Sequence, residues 1–357
     1  MKKLIAIFGI LAFTAGMAFS QSNEATVNQT ADNNEAIVNQ TGLENNSLIN
    51  QLTNGHDANV TQDGYKNINI LNQSGNNSSS YTLSQDGDQN YSRLRQVQFG
   101  GNEANIEQIG DRNRLTGTGG QATQGTRNEL NLSQIGDDNI AHVYQDMADH
   151  VLNINQVQDD NYVIVRQDAN NGSSAVILQD GLENNLDVLQ NDWGYHTLNF
   201  VQEGNDNLGV TMQYGYDNSI DITQQGNENI AVVTQQTDEN SFRLEQLGNG
   251  NQVGAEGNAF TQSGGDGNQF AGVTNGDGLA FDADGFAKQY GGALLDLDSY
   301  QTGNNNIIGL RQGAGDVGLI QQLGDNNEAL LWQGGGANDA SIVQTGNGNT
   351  AHVMQTP

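Results

Sequence analysis

The chain has 357 residues, one proline, no cysteine and a formal net charge of −30 at pH 7. The lack of cysteine excludes a disulfide-stabilised fold, and the excess of acidic residues argues against nucleic acid or an anionic membrane surface as a partner. Composition alone, with 46 glycines and 6% aromatic residues, is typical of disorder, but the regular spacing of apolar residues argues against it.

The first 20 residues have the pattern of a signal peptide. Lys2 and Lys3 precede an apolar run from Leu4 to Phe13, and Ala18-Phe19-Ser20 places small residues where a signal peptidase cleaves. The apolar run is too short for a permanent transmembrane helix. We therefore expect residues 1–20 to be removed and the mature chain to be exported without a membrane span.

From Asn23 onward one short unit recurs, consisting of Asn, five residues and Gln. It reads Asn34-Glu-Ala-Ile-Val-Asn-Gln40 near the start and Asn349-Thr-Ala-His-Val-Met-Gln355 near the end. With Asn as position 0, positions 2 and 4 are small or aliphatic, as Ala36 and Val38 illustrate. This period of two predicts a β-strand with positions 0, 2, 4 and 6 on one face, and the spacing of an amphipathic helix is absent.

The turns between units alternate in kind. Every second unit has a glycine two residues after its Gln, and glycine permits the positive φ of a tight turn. The full repeat is therefore two strands and two different turns, about 22 residues long, and it predicts an all-β, flat two-sheet β-solenoid. The predicted turn glycines are Gly42, Gly64, Gly87, Gly110, Gly136, Gly181, Gly204, Gly226 and Gly248.

The inward Asn and Gln side chains predict hydrogen-bonded ladders along the stack. A buried amide without a partner is costly, but each amide can pair with the same amide one turn above and below. We take the following as representative ladder residues: Asn34, Gln40, Asn45, Gln51, Asn218, Gln224, Asn229, Gln235, Asn338, Gln344, Asn349 and Gln355.

Other residue types sometimes replace the Asn at position 0, namely His56, Ser79, His150, Ser173, His196 and Asp316. Since the histidines stand in ladder positions and are not paired at metal spacing, a structural role is favoured over a metal site. Nucleophile and phosphate-loop motifs are also lacking. We therefore expect no enzyme activity, no cofactor and no bound metal. The isolated Trp193 and Trp332 could contact a ligand or simply pack.

The repeat is interrupted twice. Between Gln108 and Gln134 one unit is damaged and a few residues are inserted, and residues 249–298 form a longer Gly- and Asp-rich stretch. The longer stretch could be degenerate turns or an irregular loop, a linker, or a calcium loop in which Asp282 and Asp284 have the required spacing. The predicted organisation is a signal peptide (1–20), a solenoid (21–248), the interruption (249–298) and a second solenoid segment (299–357).

The pattern Asn/Ser-x5-Gln-x-Gly-x-x-Asn-x5-Gln resembles the curlin repeat of bacterial curli. Asn34 to Gln51, Ser79 to Gln96 and Asn218 to Gln235 show it well. The resemblance implies a secreted, cell-surface functional amyloid that self-assembles end to end and serves biofilm matrix and adhesion. It implies as partners the chain itself, a related nucleator or major subunit, and an outer-membrane secretion pore.

Two features depart from that family. The chain has more than twice the roughly five repeats common in curli subunits, and its repeats start almost at Gln21, where the family has a segment recognised by the secretion pore. The export route therefore stays open, and nothing in the sequence separates a major from a nucleating subunit.

Two other classes of function fit the sequence less well. A non-polymerising adhesive or surface-binding solenoid, such as an ice binder, would need a regular outward array, whereas the outward residues Glu24, Ile37, Leu48 and Asn59 differ in type. A β-helix enzyme acting on acidic polysaccharide would need a basic cleft, and the chain has few basic residues with which to build one.

Overall fold

The structure is a computed structural model that describes residues 22–117, 120, 122–253, 307–312, 315–334 and 337–355, with short segments between 260 and 302. The predicted signal peptide and the proposed calcium residues Asp282 and Asp284 lie outside the described residues. No helix in the described part is long and apolar enough to cross a membrane.

The strands form two sheets, which we call sheet A and sheet B. Sheet A contains 18 strands: β1 (Glu24–Gln29), β3 (Asn46–Gln51), β5 (Ile68–Gln73), β7 (Tyr91–Gly100), β9 (Arg114–Thr116), β10 (Ala122–Thr126), β12 (Ile140–Ala148), β14 (Tyr162–Ala169), β16 (Asn185–Asp192), β18 (Leu208–Gln213), β20 (Ile230–Gln235), β22 (Gln252–Val253), β23 (Phe260–Ser263), β25 (Ala280–Phe281), β26 (Ala287–Tyr290), β29 (Ile307–Gln312), β31 (Glu328–Gln333) and β33 (Thr350–Gln355).

Sheet B contains 15 strands: β2 (Glu35–Leu43), β4 (Asp57–Tyr65), β6 (Ser80–Asp86), β8 (Glu103–Ile109), β11 (Glu129–Ile135), β13 (Val151–Val157), β15 (Ser174–Asp180), β17 (Thr197–Glu203), β19 (Ser219–Gln225), β21 (Ser241–Leu247), β24 (Gln269–Asn275), β27 (Leu294–Leu295), β28 (Tyr300–Thr302), β30 (Val317–Leu323) and β32 (Asp339–Thr345).

Each strand pairs in parallel with the strand one turn away, so the chain alternates between the sheets and winds into a β-solenoid. In β2 and β4 the register places Gln40 beside Gln62 and Gly42 beside Gly64. The same alignment recurs between β19 and β21, where Gln224 lies beside Gln246. The predicted all-β solenoid with a repeat of about 22 residues is confirmed, because equivalent residues stack directly on one another.

In most strands the side chains alternate between the interior and solvent, although in β20 every residue after Ile230 is buried. In β6 the pattern is exposed at Ser80 and buried at Tyr81, and it continues in this way to Asp86. Positions 2 and 4 from both sheets meet in one apolar layer, exemplified by Val60 and Leu71, which are fully buried. Burial of this layer is the main driving force for stacking the turns.

One part of the interior is polar, contrary to the apolar pattern. Ser47, Asn69 and Ser92 occupy position 2 on successive turns of sheet A and are fully buried. Asn69 Nδ2 donates to Ser47 Oγ at 3.0 Å, and the buried Tyr81 hydroxyl from sheet B donates to Asn69 Oδ1 at 2.8 Å and lies 3.0 Å from Ser92 Oγ. Because these groups satisfy one another, the polar interior is tolerated.

The shorter interruption splits one strand without ending the stack. β9 and β10 together fill the place of one strand, and both pair with β7 and β12. Through the longer interruption, the described strands β22 to β28 pair in parallel with their neighbours in both sheets. The boundaries drawn at residues 248 and 298 stay a prediction.

Candidate functional site

Two glutamine columns run along the solenoid, one at the end of each sheet's strands. In both columns the Nε2 of one Gln donates to the Oε1 of the Gln on the next turn, at 2.7 to 3.2 Å. The sheet A column contains Gln51 and Gln235, and the sheet B column contains Gln40 and Gln224. Near the C-terminal end the pairs Gln322–Gln344 and Gln333–Gln355 continue the same columns.

The glutamines also connect the two sheets. Gln224 of β19 donates to the carbonyl oxygen of Leu208 in β18 at 3.2 Å, and Gln235 of β20 donates to the carbonyl oxygen of Ser219 in β19 at 3.0 Å. Each Gln therefore satisfies a backbone acceptor across the interior as well as its neighbours in the column. This double role explains why Gln keeps its place from unit to unit.

The asparagines at position 0 use their amides differently. Asn45 Oδ1 accepts the backbone N–H of Asn67 on the next turn at 3.0 Å, and its Nδ2 donates to the carbonyl oxygen of Gly64 at 3.0 Å. From Asn161 onward the amides also pair with each other, as Asn229 Nδ2 does with Asn207 Oδ1 at 3.1 Å. The Asn column thus fastens each turn to the backbone of the next.

The remaining predicted Asn residues follow the same scheme. Asn34 Oδ1 accepts the backbone N–H of His56, and Asn218 Oδ1 accepts that of Asn240. Asn338 and Asn349 donate both their backbone N–H and their Nδ2 to the Oδ1 of the residue one turn before.

A glycine column lines the turns that follow sheet B. All nine predicted turn glycines have positive φ, between +92° at Gly42 and +140° at Gly181. A Cβ at Gly226 would lie 2.1 Å from the carbonyl oxygen of Gly248 on the next turn. The column therefore needs glycine for its backbone conformation and for the close approach of successive turns.

Comparison with known families identifies the repeat. A family profile described as "Curlin associated repeat" matches residues 32–64, 204–235, 215–248, 313–346 and 324–356. The chain therefore contains curlin repeats. The matched segments cover about a third of it, and the Gln columns continue unbroken through residues 65–203 between them. No curated protein matches the chain.

The departures from Asn in the curlin repeats share one property, which is a hydrogen-bond acceptor at the same place. His56 Nδ1 accepts the backbone N–H of Ser79 at 3.1 Å, and Ser79 Oγ accepts that of Asn102 at 3.2 Å. Asp316 Oδ1 does the same for Asn338 at 2.9 Å. The requirement at position 0 is therefore for an acceptor that holds the next turn, and an amide is only the commonest form of it.

This geometry makes the solenoid sensitive to acid. Burial lowers the pKa of His56, His150 and His196, and the Nδ1 of each accepts a backbone N–H. If Nδ1 were protonated, its N–H would point at the backbone N–H that now donates to it, and two hydrogen-bond donors would face each other. Unfolded histidine binds a proton below about pH 6.5, whereas the folded residues stay neutral to a lower pH. The unfolded state therefore binds more protons in this window, and stability falls as pH falls.

We expect the free energy of unfolding to decrease between about pH 6.5 and pH 5, and to do so less in a triple variant His56→Asn, His150→Asn, His196→Asn. Urea denaturation of both chains at pH 7.5 and pH 5, followed by circular dichroism, measures the difference. Both chains contain the same carboxylates, so the effect of their protonation on stability cancels when the two chains are compared. An identical loss of stability in the two chains would show that the histidines do not contribute.

The structure also contains repeated features that the sequence pattern did not indicate. Gln124 occupies the sheet A column between Gln96 and Gln145, although its distance from Asn113 does not fit the unit. On the turns after sheet B, Asp88 N donates to Asp111 Oδ1 at 2.8 Å, and similar Asp or Asn contacts recur along that edge. Within the described residues no group of three or more His, Cys, Asp or Glu could hold a metal ion.

The two tryptophans lie on different surfaces. Trp193 is 66% exposed on a turn after sheet A, and its backbone N–H donates to the carbonyl oxygen of Gly215 at 3.0 Å. Trp332 points outward from sheet A, where the Arg311 guanidinium lies 4.8 Å from its ring centroid.

Proposed function

We propose that the mature chain is an extracellular structural subunit that assembles end to end with copies of itself into a curli-like amyloid fibre. In this role it would serve biofilm matrix and surface adhesion without enzymatic activity. The curlin repeats and the signal-peptide pattern of residues 1–20 support the proposal. Secretion would require an outer-membrane pore, and a related nucleator or major subunit would be a second partner.

The observation that carries the proposal is that the turns are interchangeable. The same Gln, Asn and Gly columns recur from the first described turns to the last, and each turn offers its neighbour the same donors and acceptors. Within the described residues, β1 and β33 of sheet A pair only with β3 and β31, and β2 and β32 of sheet B pair only with β4 and β30. A second copy could therefore continue both sheets by the interactions that already hold the interior.

The proposal predicts that purified chain, expressed without residues 1–20, forms fibres that bind thioflavin T. Preformed fibres should shorten the lag phase when added to fresh monomer, because their end turns template the next copy. Thioflavin T fluorescence with electron microscopy over a day measures both. A chain that stays monomeric and rich in β-structure would contradict the proposal and favour a non-polymerising adhesive solenoid.

A further inference from the structure

The outward faces of the two sheets differ in chemistry. We call the outward side chains of sheet A face A and those of sheet B face B. Face A carries large apolar and aromatic residues with arginines, including Tyr91, Arg95, Arg114, Tyr144 and Tyr162. On β6, β8 and β11 face B carries hydroxyl, amide and acidic residues, namely Thr82, Ser84, Glu103, Glu107, Asn131 and Ser133, whereas its outward residues on β15 include the apolar Val176 and Leu178.

Four arginines of face A form no ion pair with a described residue, and two of them, Arg95 and Arg114, are exposed rather than half-buried. Their lack of such ion pairs is unexpected in a chain with 42 acidic and 12 basic residues. The Arg114 guanidinium lies 5.4 Å from the centroid of the Tyr91 ring. The placement of Arg95 and Arg114 on adjacent turns creates a small basic patch on face A.

Three carboxylates of face B are held in place by uncharged neighbours. Glu103 accepts from Asn105 at 3.1 Å, Glu107 from Ser133 at 3.3 Å and Glu129 from Asn131 at 2.7 Å. None of the three forms an ion pair with a described residue. They lie on β8 and β11, on the same turns of the solenoid as Arg95 and Arg114.

The positions of these charges match when two solenoids lie side by side in the same orientation. Since a turn reverses the chain after each strand, the strands of sheets A and B run in opposite directions. Position 5 of face A then faces position 1 of face B on the neighbouring rod. Arg95 at position 5 meets Glu103 and Glu129 at position 1, and Arg114 at position 1 meets Glu107 at position 5. The two contacts are about 13 Å apart at 3.3 Å per residue.

Face B also has room for bulky side chains. A shallow open depression of about 580 Å³ lies on face B, lined by Asn105, Glu107, Asn131 and Ser133 among others. In the side-by-side arrangement Tyr91 and Tyr162, at position 1 of face A, face the end of the strands of face B on which this depression lies. We propose that face A of one copy docks on face B of a second copy, so that parallel solenoids associate side by side, registered by Arg95 and Arg114 against Glu103, Glu107 and Glu129. Because this contact joins unlike surfaces, it leaves a free face on each side and continues into a ribbon.

Cysteine cross-linking tests the contact directly, because the chain has no cysteine of its own. One chain carries Arg95→Cys and a second, tagged chain carries Glu103→Cys. The two chains are assembled as a mixture and then oxidised. The cross-linked dimer of the two different chains should form in several-fold excess over the dimer of two Arg95→Cys chains. A pair of Arg95→Cys with Asn155→Cys, which lies on face B at position 5 and two turns away, is the matched control. Equal yields of mixed and self dimers, or of test and control pairs, would overturn the proposal.

Charge reversal supplies an independent test. The double variant Arg95→Glu, Arg114→Glu should lose bundle width in electron micrographs, while its fibres still elongate and bind thioflavin T. Mixing it with a Glu103→Arg, Glu107→Arg chain should restore association. If the reversed chain keeps its bundles and instead loses binding to polygalacturonate, the arginines recognise acidic polysaccharide and the lateral contact is wrong. Failure of all chains to form fibres would contradict end-to-end assembly alone, because the cross-link can still form between single solenoids.

Discussion

Substitution of Gln224 by alanine is expected to slow fibre elongation far more than substitution of its neighbour Thr223 by alanine. Gln224 is fully buried, accepts from Gln202 at 3.0 Å and donates to Gln246 at 2.9 Å and to the carbonyl oxygen of Leu208 at 3.2 Å. Its removal leaves buried amide and carbonyl groups without partners and opens a cavity. We expect a loss of about 2–5 kcal/mol.

Thr223 is the matched control because it lies on the same strand and points outward. Its truncation should change stability by less than about 0.5 kcal/mol. Seeded elongation rates of the two variants, together with urea midpoints of soluble chain, measure the difference. Similar elongation rates for the two variants would show that fibre growth does not depend on whether the truncated side chain points into the solenoid or out of it.

Substitution of Gly226 by alanine is expected to disrupt stacking at a second point. Gly226 has φ +120°, and a Cβ there would lie 2.1 Å from the carbonyl oxygen of Gly248 and 2.7 Å from its carbonyl carbon. Since both atoms belong to the backbone of the next turn, the two turns must separate locally and weaken the neighbouring column contacts. We expect at least about 2 kcal/mol of destabilisation beyond the strain of a positive φ.

Gly315 separates the clash from the backbone strain. It also has a positive φ, of +72°, but a Cβ there meets only the Ala337 nitrogen at 3.7 Å. Gly315→Ala should therefore show only the left-handed backbone cost of about 1–2 kcal/mol. Thermal unfolding followed by circular dichroism compares the two variants. Equal losses would mean that close approach of the turns contributes nothing.

The Gln and Gly columns could be predicted from sequence because each position is identified by its place within one repeat unit, and few other residue types could occupy it. A period of two places Gln40 and Gln62 inward, and a stack of identical turns then brings like side chains together. The glycine of each turn indicates both a positive φ and a close approach of the next turn's backbone. The placement of Gln124 could not be predicted in the same way, because the inserted residues hide its distance from Asn113.

Other features depend on contacts between turns and leave little local signal. Glu44, Lys66 and Arg112 adopt φ of +58° to +59° just before their Asn, although none of these residue types favours it. Lys66 N donates to the Leu43 carbonyl at 3.0 Å, and Arg112 N donates to that of Asp88 at 2.8 Å. The neighbouring turn therefore imposes the conformation, whatever the side chain. The polar interior around Asn69 and Tyr81 likewise depends on which turns face each other.

The direction of the amide hydrogen bonds gives the solenoid a polarity. Gln224 donates towards Gln246, later in the chain, whereas Asn229 donates towards Asn207, earlier in the chain. Two segments can extend both columns only when they point the same way, because opposed segments would bring like groups together. A filament of such subunits would have two chemically distinct tips. Its tips would then recruit subunits at different rates, and two filaments could not anneal tip to tip in opposite directions.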